Sequence, residues 1–203
     1  MEEITNEEVL KKIVVGNGGY ITRRDVDSVG VASWFLTDFV RKNNFIRVSP
    51  GYYVSSNMPI DDYYVFQWRY PQYIFSGISA LFLHHLTDQL PKNMEVTCPQ
   101  GYNPTRKKNK NLRIRKISDK DIYKFGITEV KTIFGHKVKV YDQERTICDF
   151  IKYRDKYDSE VFVKAMKYYV RKTNNQKKLF KYAKKLNVEK KVLEVMEIIT
   201  NED

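Results

Sequence analysis

Over its first 54 residues the chain alternates short apolar stripes at helical spacing with glycine-bearing breaks. Thr5 opens a helix, Glu8 completes a capping box three residues on, and Val9, Leu10, Ile13 and Val14 form the apolar stripe. The run GNGGY (16–20) stops it, because glycine tolerates the positive φ of a helix end. Thr22 and Asp25 form a second start of the same kind for a short helix through Val29, closed by Gly30. A third helix is predicted from Ser33 to Lys42, with Phe35, Leu36, Phe39 and Val40 toward the core. Phe45–Val48 and Tyr52–Val54 then pair as a hairpin around Ser-Pro-Gly. Three short helices and a hairpin in this order match a winged helix-turn-helix.

The polar stretch SSNMPIDD (55–62) reads as a linker. Beyond it, DDYYVFQWRYP and SGISALFLHHL are predicted helical, followed by four alternating β-like runs, MEVTC, LRIRKI, TEVKTIF and HKVKVYD. Helices return at ERTICDFIKY, at SEVFVKAMKYYVRK, and in two pieces either side of Leu186–Asn187. The fold class is therefore α+β. A winged helix-turn-helix (residues 1–57) precedes a larger mixed α+β domain (58–203) with an antiparallel sheet and C-terminal helices. At 203 residues the chain is long enough for two such cores.

Charge changes the picture. There are 36 Lys and Arg against 25 Asp and Glu, a formal net charge of +11, and such an excess favours a polyanionic partner. It is spread unevenly: residues 1–60 are neutral, whereas residues 100–140 carry 12 basic and 3 acidic side chains. No apolar run approaches the ~18 residues of a membrane span, and the acidic N-terminus is unlike a signal peptide, so a cytoplasmic location and no membrane partner are expected. Cys98 and Cys148 form no C-x-x-C pair and read as buried free thiols.

On the third helix Ser33, Trp34, Thr37, Asp38 and Arg41 point outward, with Trp34, Thr37 and Arg41 on one stripe. A hydroxyl and a guanidinium there suit base edges and phosphates, although Asp38 opposes phosphate. Lys42 extends the basic end, and Arg47, Ser49 and Tyr52 of the hairpin are candidate backbone contacts. The strongest basic cluster is RKKNKNLRIRK: Arg106, Lys107, Lys108, Lys110, Arg113, Arg115 and Lys116. Arg113 and Arg115 share one strand face, an arrangement able to follow a phosphate backbone without reading sequence.

An enzymatic alternative is an Mg-dependent nuclease carrying a winged-helix targeting domain. Asp119 and Asp121, followed by Glu129-x-Lys131, have the residue types of such a site, in which carboxylates hold the metal and lysine orients water. The pattern is common by chance in a chain this rich in both residues. His84, His85 and Asp88 fall short of a metal set and read as core or surface residues. In YDQERTICDFI, Arg145 and Asp149 lie one helical turn apart and Glu144 precedes them, which predicts a charged network fixing a helix to the sheet.

Taken in order, GGYITRRDVDSVGV, FIRVSPGYYV, YIFSGISALFLHHLT and QERTICDFI give the chain its resemblance to a known family. It resembles the AbiEi-type antitoxins of bacterial abortive-infection (type IV) toxin–antitoxin systems. The matching positions are Gly19, Gly51 with Tyr53, Ser79-Ala80-Leu81 with His84, and Glu144-Arg145-Thr146 with Asp149. The resemblance implies an N-terminal winged helix-turn-helix that binds operator DNA and represses its own operon. It also implies a C-terminal domain that counters a nucleotidyltransferase-like toxin without a stable complex, with no cofactor, metal or catalytic residue. Many relatives carry an arginine-rich recognition helix, where this chain has SWFLTDFVRK. That departure moves the expected grip on DNA toward the basic surface of the second half, Arg113 and Arg115 included.

Overall fold

The computed structural model describes residues 4–102, 111–173 and 175–201. Its order is α1 (Asn6–Gly16), β1 (Tyr20–Thr22), α2 (Arg23–Ser28), α3 (Ser33–Lys42), β2 (Phe45–Ser49), β3 (Tyr52–Ser55), α4 (Asp62–Arg69), β4 (Ile74–Phe75) and α5 (Gly77–Leu83). There follow β5 (Met94–Pro99), β6 (Leu112–Ile117), α6 (Lys120–Lys124), β7 (Ile127–Lys131), β8 (Lys137–Tyr141) and α7 (Gln143–Lys152). A 3₁₀ turn (Arg154–Lys156) leads into α8 (Ser159–Lys172), α9 (Gln176–Lys185) and α10 (Glu189–Asn201). Mixed α+β architecture is thus observed, and among the described residues no helix is long and apolar enough to cross a membrane.

Two compact units result: Met1–Phe66 with Ile133–His136, and Gln67–Thr132 with Lys137–Asp203. In the first, both capping boxes form. Thr5 Oγ1 accepts from the Glu8 N–H while Glu8 accepts from the Thr5 N–H, and Thr22 and Asp25 repeat the exchange. Each such cap contributes about 1 kcal/mol. Leu10, Ile21, Val26, Val31, Leu36, Phe39 and Val40 form the core, with Phe35 packed against its edge. The strand β1 joins the hairpin in a three-stranded antiparallel sheet of order β1-β3-β2. Three residues between a glycine turn and a capping box are too few to show alternation, so β1 had no sequence signal. His136, from the segment 133–136, sits 2.9 Å from Asp61 and stacks on the Tyr64 ring at 4.3 Å, which anchors that segment in the first unit.

The second unit corrects the expectation of an antiparallel sheet. Its five strands run β6-β5-β4-β8-β7, and the sheet is mixed. The pairs β4–β5 and β7–β8 are antiparallel, whereas β4–β8 and β5–β6 are parallel. Parallel neighbours need a crossover of about a dozen residues, and the 100–111 connection from β5 to β6 supplies one of that length. The wedge β4 has only two residues, both buried, and lies between β5 and β8. Helices α7, α8, α9 and α10, with Leu81 and Leu86, bury one continuous apolar cluster. Both cysteines are buried and free, and desolvation pushes the Cys148 thiol up to about 12.

Candidate nucleic-acid interface

In the first unit α3 is amphipathic for the reason its spacing implies. Leu36, Phe39 and Val40 are buried, while Trp34, Thr37, Arg41 and Lys42 face solvent and Ser33 is half-buried. Trp34 is 71% exposed, touching Phe35 edge-on at 5.7 Å, so packing alone leaves most of its ring unused. The cations beside it are already engaged. Asp38 holds Arg41 at 2.8 Å and Lys42 at 2.7 Å, and these two partners keep its carboxyl below the ordinary carboxylate range. On the hairpin, Arg47 is exposed opposite Tyr53 and Tyr52 is half-buried. Ser49 is buried beneath a bulge between Arg47 and Ser49, which removes it from the candidate contacts.

Asp38 therefore ties up the two cations that a phosphate at this face would need. Asp38→Asn is expected to release Arg41 and Lys42, tighten binding to any duplex, and steepen its salt dependence by up to about two contacts' worth. Anisotropy titrations of the variant and the parent at several salt concentrations check this; an unchanged slope would contradict it.

In the second unit Arg106, Lys107, Lys108 and Lys110 lie outside the described residues. Arg113 and Arg115 do share a face of β6, as alternation requires, but that face has neighbours of its own. Arg113 reaches Glu95 at 3.3 Å. Arg115, 19% exposed, lies 3.4 Å from Asp149 and 3.8 Å over the Tyr153 ring. The pair is thus bound up with β5 and α7, and Arg115 in particular is not displayed to a backbone outside. Lys116, the next residue, is exposed.

The network predicted around Glu144, Arg145 and Asp149 is internal. All three are buried; Arg145 is 1% exposed, the largest fully buried side chain of the described residues. Its Nε donates to Asp149 at 3.1 Å, and its Nη1 donates to the carbonyls of Ile122 at 2.8 Å and Phe125 at 3.2 Å. One side chain thereby ties α7 to the end of α6. Glu144 accepts from Lys178 of α9 at 2.7 Å, and Asp142 caps α7 while accepting from Tyr182 at 2.8 Å. His84 is half-buried and also held internally: its Nε2 lies 2.7 Å from the Tyr141 carbonyl, and desolvation lowers its pKa.

One surface was missed by the sequence reading. Between residues 171 and 191 nine Lys and Arg stand against the single Glu189. Lys177, Lys181, Lys184 and Lys185 of α9 and Lys190 and Lys191 of α10 are exposed, while Leu179, Ala183 and Leu186 bury the opposite side. Lys177, Lys181 and Lys184 follow one stripe at about 6 and 4.5 Å of helical rise, a spacing suited to successive phosphates. The signal was present in the sequence, but the acidic residues at both ends of 141–203 diluted it.

Two of the three carboxylates of the nuclease pattern have partners of their own. Asp119 accepts from the Asp121 and Ile122 N–H groups as the cap of α6, and Glu129 faces Lys137 at 3.9 Å. Among the described residues no three His, Cys, Asp or Glu side chains are grouped closely enough to hold a metal ion. Compared with models of known protein families the chain matches none, and it matches no curated protein.

Proposed function

We propose that this chain is a cytoplasmic DNA-binding repressor of its own operon and the antitoxin to a nucleotidyltransferase-like toxin in an abortive-infection, phage-defence system. The observation that carries the DNA-binding half is the first unit's order. Helix, strand, two helices and a hairpin, with sheet order β1-β3-β2, match a winged helix-turn-helix, and its third helix leaves Trp34, Thr37, Arg41 and Lys42 exposed. The antitoxin half rests on the family resemblance alone, carried by the motifs around Ser79 and Glu144.

Division of labour follows from charge. The first unit, with 7 basic against 9 acidic side chains, orients the protein, with Trp34 and Thr37 toward base edges and Arg41, Lys42, Arg47 and Tyr52 on the backbone. Most of the salt-sensitive attraction comes from the second unit. There the lysine stripe of α9 and α10 takes the part the sequence assigned to Arg113 and Arg115, together with Lys116 and the cluster at 106–110. The test is a reporter fused to the DNA upstream of the chain's own gene. Supplying the protein in trans is expected to lower expression, and Trp34→Ala is expected to relieve that repression without unfolding the chain. Reporter output indifferent to the protein would contradict the proposal.

A further inference from the structure

The second unit contains a cleft whose charges do not balance. Ser76, Glu95, Arg113, Arg115, Lys156 and Tyr157 border a cavity of about 350 Å³. This lies at the small end of ligand pockets, roughly 300–1000 Å³. At one wall Glu95 is fully used: Oε1 faces Arg113 at 3.3 Å, and Oε2 accepts from the Tyr157 hydroxyl at 2.8 Å and the Ile78 N–H at 3.2 Å. Gly77, at φ +53°, is what lets that carboxylate come so close, since a Cβ there would collide with Oε2.

Behind the opposite wall one carboxylate serves two guanidinium groups. Asp149 Oδ2 lies 3.1 Å from Arg145 Nε and 3.4 Å from Arg115 Nη1, and that Arg115 nitrogen is buried without a hydrogen bond. Burying two arginines on one aspartate is costly unless further negative charge is supplied. Lys156, exposed at the rim 5.1 Å from the Tyr153 ring, adds a fourth cation. With Lys116, which also borders the cleft, and with Lys92, Asp158 and Glu160 of a space adjoining it, six cations meet four carboxylates, an excess of two positive charges in a partly desolvated site.

We infer that this cleft binds a phosphate monoester. Such a group carries about −1.5 to −2 charge at neutral pH and presents three acceptor oxygens, which matches the excess and suits the exposed donors Arg113, Lys116 and Lys156 that border the cleft. The organic part has somewhere to go. Sharing Glu95, Arg113, Lys156 and Tyr157, the cleft continues into a second space of about 490 Å³ bordered by Ile78, Leu90 and Asn93. The same chemistry is found on a free nucleotide and on the 5′-phosphorylated end of a nucleic acid. This inference stands apart from the operator-binding reading, because its residues belong to neither α3 nor the lysine stripe.

Calorimetric titration of the full chain tests it with adenosine 5′-monophosphate, adenosine, and a short oligonucleotide bearing either a 5′-phosphate or a 5′-hydroxyl. Saturable binding of the monophosphate but not of adenosine is expected. Lys156→Ala and Arg113→Gln should each weaken it by about tenfold or more, whereas Lys11→Ala on α1 leaves it unchanged. Preference for the phosphorylated over the hydroxyl oligonucleotide, at an affinity above the mononucleotide's, assigns a nucleic-acid end; equal or weaker binding assigns the free metabolite. Three results overturn the site: no binding of either phosphorylated probe at millimolar concentration, equal binding of adenosine, or monophosphate affinity unchanged in both variants while circular dichroism shows them folded.

Discussion

Replacing Arg145 by alanine is expected to destabilise the second unit by about 3–5 kcal/mol, the cost of removing one partner from a buried ion pair. Arg145 is 1% exposed, so water cannot replace what it gives up. The Ile122 and Phe125 carbonyls lose their donor, and each buried acceptor left unpaired costs about 1–3 kcal/mol. Arg115 remains 3.4 Å from Asp149, which keeps that carboxylate partly compensated and places the effect toward the lower end of the range. In urea, with a slope near 2 kcal/mol per molar, the midpoint should fall by about 1.5–2.5 M. Trp68, in the second unit, reports the transition by fluorescence. Arg145→Lys should lie between the two, since an ammonium keeps the charge near Asp149 without the fork that spans both carbonyls. A loss below about 1 kcal/mol for Arg145→Ala would show that α7 is held by its apolar contacts alone.

The second large effect concerns the lysine stripe. Neutralising Lys177, Lys181 and Lys184 together, each to alanine, should weaken nucleic-acid binding on the order of 10²-fold at about 0.1 M salt. Each phosphate contact contributes a slope of about −0.9 in log K against log salt, so the triple variant should be shallower by about 2.7. These lysines are exposed, and none makes an ion pair among the described residues, so stability should hardly change. Lys178 is left in place because it holds Glu144 and Asp142, the two carboxylates that raise its pKa against desolvation. A lost fold in the triple variant would be visible by circular dichroism. A folded variant with parental affinity and slope would remove the stripe from the interface.

Elements with their own caps and periodicity were legible in the sequence. The helix SEVFVKAMKYYVRK and the segment Ser33–Lys42 appear in the structure with the expected ends, and Thr5 and Thr22 cap as their spacing requires. What escaped was short or collective. The strands β1 and β4 have three and two residues, and α6 has five, too few for any period to register. Strand direction escaped because alternation is the same for parallel and antiparallel neighbours.

At the candidate sites, residue type was readable but surroundings were not. The outward face of α3 followed from its period. Arg113 and Arg115 were placed correctly on one strand face, yet nothing local said that Glu95, Asp149 and Tyr153 would meet them there. The reverse held for Arg145 and Asp149: their one-turn spacing announced the pair, and the helix termini they join came only with the fold. The α9 lysines were hidden by averaging over too long a window.

The central claim is that this chain binds specific DNA, aimed by the first unit and held by the second. Its most direct test is fluorescence anisotropy of the intact protein on DNA from upstream of its own gene and on a scrambled duplex of equal length, across a range of salt. The account predicts tighter binding to the upstream duplex at every salt concentration, with a steep loss of affinity on both duplexes as salt rises. Absence of retention on either duplex at low salt, or equal affinity for the two throughout, would contradict it.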